Sequence, residues 1–103
     1  MAFRLSFSAR ALSDIGAAHD WYAVQASGLG NEFLAAVDLQ VERLKQAPHL
    51  YAEVLPRVRR ALLPRFPYGL FFTLRGNDIR ILAVLHQARG QRAWPTGRSG
   101  ASE

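Results

Sequence analysis

The stretch that decides the fold runs Tyr68-Gly69-Leu70-Phe71-Phe72-Thr73-Leu74-Arg75-Gly76-Asn77-Asp78-Ile79-Arg80-Ile81-Leu82-Ala83-Val84-Leu85-His86. Two strand-like runs, Tyr68 to Leu74 and Ile79 to Leu85, flank Arg75-Gly76-Asn77-Asp78, a short break of the kind that joins antiparallel strands. Arg57 to Leu63 reads as a strand joined to this pair by Pro64-Arg65-Phe66-Pro67, so the C-terminal half is an antiparallel meander. Leu70, Phe71, Phe72 and Leu74, then Ile79, Ile81, Leu82, Val84 and Leu85, are apolar on both alternating faces. Such a sheet needs cover on two sides.

Outward from the meander, the N-terminal half supplies cover for one side. Phe3, Leu5 and Phe7 alternate with Arg4 and Ser6, the period of a short strand. Ser8 is placed to cap a first helix over about residues 8 to 27, in which Leu12, Ile15, His19 and Tyr22 recur at helical spacing until Gly28 stops it. Asn31 is the expected cap of a second helix, with Glu32 in its first turn and Phe33, Val37, Val41 and Leu44 on one face, ending before Pro48. Gly28-Leu29-Gly30 then makes the two helices an antiparallel hairpin, and His49 to Pro56 a loop. The expected fold is α+β: an N-terminal strand and a helical hairpin packed on a three- to four-stranded antiparallel sheet. Residues 1–95 form its single domain and 96–103 a loose tail. One hairpin covers one face. The other is expected to meet a partner, unless the tail folds back over it through Trp94.

Composition narrows the function. The 103 residues include no cysteine, which excludes a disulfide framework, a thiolate metal site and a thiol nucleophile, and fits a reducing cytoplasm. No apolar run approaches the ~20 residues of a membrane span, and the start lacks the pattern of a signal peptide. His19, His49 and His86 lie far apart without metal-ligand spacing, so neither a metal nor a cofactor is expected. Net charge is +5: residues 1–52 carry four basic groups against five acidic ones, and residues 53–103 nine against three. Twelve of the thirteen basic residues are arginine, the side chain suited to bidentate contact with phosphate or carboxylate, so an anionic partner is expected for the C-terminal half.

Arg57 and Arg59 share one strand face, Arg60 points to the other, Arg65 lies beyond the turn, and His86 and Arg89 follow the last strand. Arginines on a scissile phosphate with a histidine moving a proton would make an RNA-cleaving cleft; a strand-end histidine serves equally as a hydrogen-bonded structural residue. Gly28-Leu29-Gly30 lacks the preceding strand and the third glycine of a dinucleotide site. Asp14, Asp20 and Asp38 read as solvated helix charges, His19 and His49 as structural, and Trp21-Tyr22 as helix packing.

In order, Trp21-Tyr22, Gly28-Leu29-Gly30 with Phe33, Pro48, Tyr51, Val58-Arg59-Arg60, Phe66-Pro67-Tyr68, the strand Ile79 to Leu85, His86-x-x-Arg89 and Trp94 resemble the RelE/ParE toxin superfamily, especially its ParE-like branch. The resemblance covers residues 3 to 94. It implies a cytoplasmic toxin of a type II toxin-antitoxin pair, of the kind tied to plasmid stabilization, held in a hetero-oligomer by a cognate antitoxin wrapped around it. ParE-like members are associated with poisoning DNA gyrase, and RelE-like members cleave mRNA on the ribosome. The lysine-rich site of the latter is absent here, since Lys45 is the single lysine, and Gly90-Gln91 replaces the Asp-Pro often seen after the closing arginine, which bears on Arg92. The expectation is a gyrase-binding toxin without catalysis of its own. Its partner-facing residues would be Arg59, Arg60, Phe66, Tyr68, His86, Arg89 and Trp94. The alternatives are an endoribonuclease using His86 with Arg60, Arg65 and Arg89, and a degenerate member that binds antitoxin without toxicity.

Overall fold

The computed structural model describes residues 3–89. In chain order these form β1 (Arg4–Phe7), α1 (Ala9–Gln25), α2 (Leu29–Gln46), β2 (Glu53–Leu55), β3 (Val58–Leu62), β4 (Tyr68–Arg75) and β5 (Asp78–His86), with 3-10 turns at Pro48–Leu50 and Gln87–Arg89. Ser8 caps α1 as its chemistry dictates: its hydroxyl accepts from the Ala11 N–H at 2.9 Å. The second helix starts earlier than Asn31. Gly28, at φ +81°, already turns the chain in the left-handed region and is the N-cap, leaving Asn31 inside the helix. α2 buries Phe33, Val37, Val41 and Leu44, together with Gly30, Ala36 and Gln40. The Gln40 amide donates to the Tyr51 hydroxyl at 3.2 Å, which partners a buried polar group. Gly30 sits where the helices touch, since a Cβ there would lie 2.8 Å from the His19 carbonyl oxygen.

The sheet has five strands in the order β1-β5-β4-β3-β2 and is mixed, not the three- to four-stranded antiparallel sheet expected. The segment before Pro56 supplies the short edge strand β2, and β1 runs parallel to β5 from Arg4↔Asp78 to Phe7↔Ile81. Alternation announces a strand, whereas its partner and direction are set by contacts more than seventy residues away. The meander itself is as expected, with Gly76 at φ +58° in the β4–β5 turn.

One irregularity organises the core. Phe71 pairs with Ala83 and Phe72 with Ile81, so Leu82 is an extra residue, a bulge that changes the phase of β5. Ile79 and Ile81 before it and Val84 after it all reach the helix-side core, with Leu70 and Phe72 of β4 and Phe33 and Leu44 of α2. Burying each such side chain contributes about 1.5–3 kcal/mol. Val58, Phe71, Ala83 and Leu85 cluster on the opposite face, with Leu55 and Leu82 packed against them. Each of those four is at most 9% exposed, so the centre of the second face is not the open apolar surface that composition suggested. Large apolar side chains are exposed instead at Leu12, Trp21 and Val24 on α1, at Leu39 on α2, and at Leu50, Val54 and Leu62. Among the described residues no helix is long and apolar enough to cross a membrane.

Candidate functional site

β1 ends opposite Ile81, so on the edge away from β4 no strand among the described residues pairs with the second half of β5, and α1 side chains meet that edge instead. The Ser8 hydroxyl donates to the Leu82 carbonyl at 2.9 Å, and the Val84 N–H donates to Asp14 Oδ2 at 2.9 Å. Asp14 also accepts from Arg10 Nε at 3.1 Å, and its side chain is only 16% exposed. It is therefore a backbone acceptor rather than the solvated charge expected. Its place on α1 explains this, because Ala11, Asp14 and Ala18 fall three and four residues apart on the buried stripe.

Next to Asp14 opens a cavity of about 890 Å³, lined by Ala17, Ala18, Trp21 and Tyr22 of α1, Pro67 and Tyr68 at the start of β4, and His86 at the end of β5. Tyr22 stacks on Phe33 at 5.5 Å between centroids and meets Phe66 edge-on at 5.0 Å. Burial, and after it the neighbouring Tyr68, push the Tyr22 phenol above its ordinary value of 10.0. Trp21 packs edge-on against Tyr22 at 5.0 Å yet stays 57% exposed, an aromatic wall facing water. Tyr68 meets the His86 ring edge-on at 5.3 Å. His86 Nδ1 accepts the Ala88 N–H at 3.1 Å, so the neutral ring carries its proton on Nε2 and presents a donor there.

Arg59, Arg60 and Arg65 do not form one cluster. Arg59 faces the helix side and gives Nη1 to the carbonyls of Tyr51 at 2.6 Å and His49 at 3.3 Å, bracing the Pro48–Leu50 turn against β3. Arg60 faces the opposite side, exposed, its stem over Gly69. Arg65, at φ +69°, bonds Glu32 of α2 at 2.8 Å and lies 5.7 Å from the Phe66 ring. His86 shares the helix side with Val84 and Tyr68, so Arg60 and His86 stand on opposite faces of the sheet. Phe66, expected on the partner surface, is 6% exposed and belongs to the core, because its ring is enclosed by Tyr22 and Phe33. Arg89 closes the last turn, and Trp94, Arg92 and the tail 96–103 lie outside the described residues. Among the described residues no three His, Cys, Asp or Glu side chains are arranged to hold a metal ion.

A family model described as the ParE toxin of the type II toxin-antitoxin system, parDE, matches residues 5–90. The chain belongs to the ParE toxin family. Among solved structures it is similar to a chain of the chromosomal ParDE TA system from P. aeruginosa, at 27% identity and a TM-score of 0.71, over 82% of this chain and 95% of that one. No curated protein matches. The resemblance carried by Gly28-Leu29-Gly30, Phe66-Pro67-Tyr68 and His86-x-x-Arg89 thus led to the right superfamily. The protein is a ParE-type toxin of a type II toxin-antitoxin system, and the matched residues include both helices and most of the sheet. Asp14 and the exposed side of Trp21 are the features of this ParE-family toxin that sequence reasoning missed. Only the spacing of Asp14 from Ala11 and Ala18 signalled the first.

Proposed function

We propose that this ParE-family toxin stops growth in the cytoplasm by binding DNA gyrase, not by cutting RNA. A cognate antitoxin would neutralise it by placing an apolar segment in the cavity walled by Trp21, Tyr68 and His86. The observation that carries the first half is the dispersal of the would-be catalytic groups. Arg60 is across the sheet from His86, and Arg65 is engaged by Glu32. General acid–base cleavage needs the proton-moving group and the phosphate-binding cations within reach of the same bond. A protein-binding toxin has no such requirement. For the antitoxin, an open aromatic cavity bordered by an exposed tryptophan suits a segment that orders as it docks, in a complex of toxin and antitoxin.

Gyrase supercoiling and DNA-cleavage assays with the full chain freed of antitoxin test the target, with His86→Ala run in parallel. Gyrase-dependent linear DNA should accumulate with both proteins. Untouched gyrase together with cleaved mRNA, and toxicity that falls by orders of magnitude in His86→Ala, would overturn the reading in favour of the endoribonuclease. A soluble chain that affects neither target and is harmless when overexpressed would identify the degenerate, antitoxin-binding form.

A further inference from the structure

On the sheet face away from the helices, at the end bearing the β4–β5 turn, Arg4, Arg75 and Arg80 line one groove of about 680 Å³ with Ser6 and Thr73. The register brings together residues that are far apart in sequence. Arg4, Asp78 and Arg75 stand side by side across β1, β5 and β4, and Ser6, Arg80 and Thr73 form the next row. At a strand rise of about 3.4 Å per residue and a strand spacing of about 4.8 Å, the rows lie roughly 7 Å apart, and Arg4 and Arg75 roughly 10 Å apart. Arg4 Nε bonds Asp78 Oδ1 at 2.8 Å in an exposed pair, and Arg80 Nη1 donates to Ser6 Oγ at 3.1 Å. Arg75 is exposed. Three guanidinium groups against one carboxylate leave the groove positive, with two hydroxyls beside them.

The lining selects among anionic partners. The apolar lining is Leu5, Ile79 and Leu82, of which Ile79 is buried and the other two are half-buried against the core clusters. None of the exposed large apolar side chains, Leu12, Trp21, Val24, Leu39, Leu50, Val54 and Leu62, belongs to this groove, so a peptide would find no protruding anchor for the apolar centre that protein interfaces rely on. It also has no aromatic residue, hence no platform on which the bases of a single strand could stack. Guanidinium groups and hydroxyls above a half-buried apolar floor, without aromatics, suit a duplex, which keeps its bases stacked inside and offers phosphates outside. We propose that this groove binds the phosphate backbone of duplex DNA, with Arg75 and Arg80 in direct contact and Ser6 and Thr73 donating hydrogen bonds. The site is separate from the Trp21–His86 cavity and does not depend on gyrase being the target.

Fluorescence anisotropy of the full chain on a labelled duplex of mixed sequence, repeated across salt concentrations, tests it without gyrase present. Replacing both groove arginines, Arg75→Ala with Arg80→Ala, should weaken binding at low salt by about tenfold or more and flatten the salt slope by about 2, near 0.9 for each phosphate no longer neutralised. Arg57→Ala with Arg65→Ala removes the same charge outside the groove and should stay within about threefold of the unmodified chain. Asp78→Asn frees Arg4 and should tighten binding severalfold, a gain that misfolding cannot imitate. Equal losses from both arginine pairs, no loss from the groove pair, no gain from Asp78→Asn, or tighter binding of single-stranded RNA or an acidic peptide than of duplex would each overturn the proposal.

Discussion

Two arginines of this chain occupy backbone conformations that favour glycine, and they do so for different returns. Arg57, at φ +64°, follows Pro56 in the two-residue turn between β2 and β3, the position where a type II turn prefers glycine. Its N–H bonds Glu53 Oε1 at 3.2 Å, a bond that glycine keeps. Left-handed backbone costs a non-glycine residue about 1–2 kcal/mol, while glycine returns about 0.4–1 kcal/mol as added freedom of the unfolded chain. Arg57→Gly should therefore stabilise the fold by about 0.5–1 kcal/mol, readable as a higher urea midpoint at unchanged slope. An unchanged or lower midpoint would show that the Arg57 side chain stabilises the turn in a way its exposure conceals. Arg65, at φ +69°, spends its strain on the Glu32 pair and the Phe66 ring, and the same exchange there should gain less.

At the scale of elements, the junction of α1 with β5 holds the molecule's least ordinary contact. A strand edge left by a short neighbour exposes backbone groups that invite pairing with another chain, and here Ser8 and Asp14 occupy two of them from the helix side. Asp14→Ala leaves the Val84 N–H without its acceptor at a cost of about 1–3 kcal/mol, so Tm should fall by roughly 5–15 °C. Asp14→Asn retains a side-chain carbonyl and should lose less. Equal losses from the two variants, measured by thermal unfolding, would mean that the Arg10 ion pair and not the strand edge is what Asp14 serves. The distinction was invisible in the sequence, because Val84 lies seventy residues away. The cap at Ser8, by contrast, was legible, since its acceptor role is met by Ala11 three residues on.

At the scale of the whole molecule, apolar exposure and positive charge occupy different places. Trp21 borders the helix–sheet cavity, whereas Arg4, Arg75 and Arg80 share a groove lined without it at the far end of β5. If the antitoxin seats in the cavity, Trp21→Ala should weaken it by about tenfold or more, in the manner of a buried aromatic anchor, with little change in the stability of the free toxin. Calorimetric titration with the cognate antitoxin checks this. Unchanged affinity would move the antitoxin to another surface. The two sites also differ in how far they could be foreseen. Tyr68 begins and His86 ends one hairpin, so the meander already implied their meeting. Arg4 and Arg80 meet only through the parallel pairing of β1 with β5.

What the sequence by itself determined is local: the cap at Ser8, the apolar face from Phe33 to Leu44, the meander from Val58 to His86 and the family its motifs belong to. These follow from hydrogen bonds and burial whose partners lie within a few residues, or across a short turn, and leave a period of two or of about 3.6 in the chain. The tertiary structure alone decided the direction of β1, the Leu82 bulge that brings Val84 into the helix-side core, the parting of Arg60 from His86, and the convergence of three arginines in one groove. Each depends on register between segments that pair across the sheet, and register is chosen by the summed packing of both sheet faces, a quantity that no local window of residues contains.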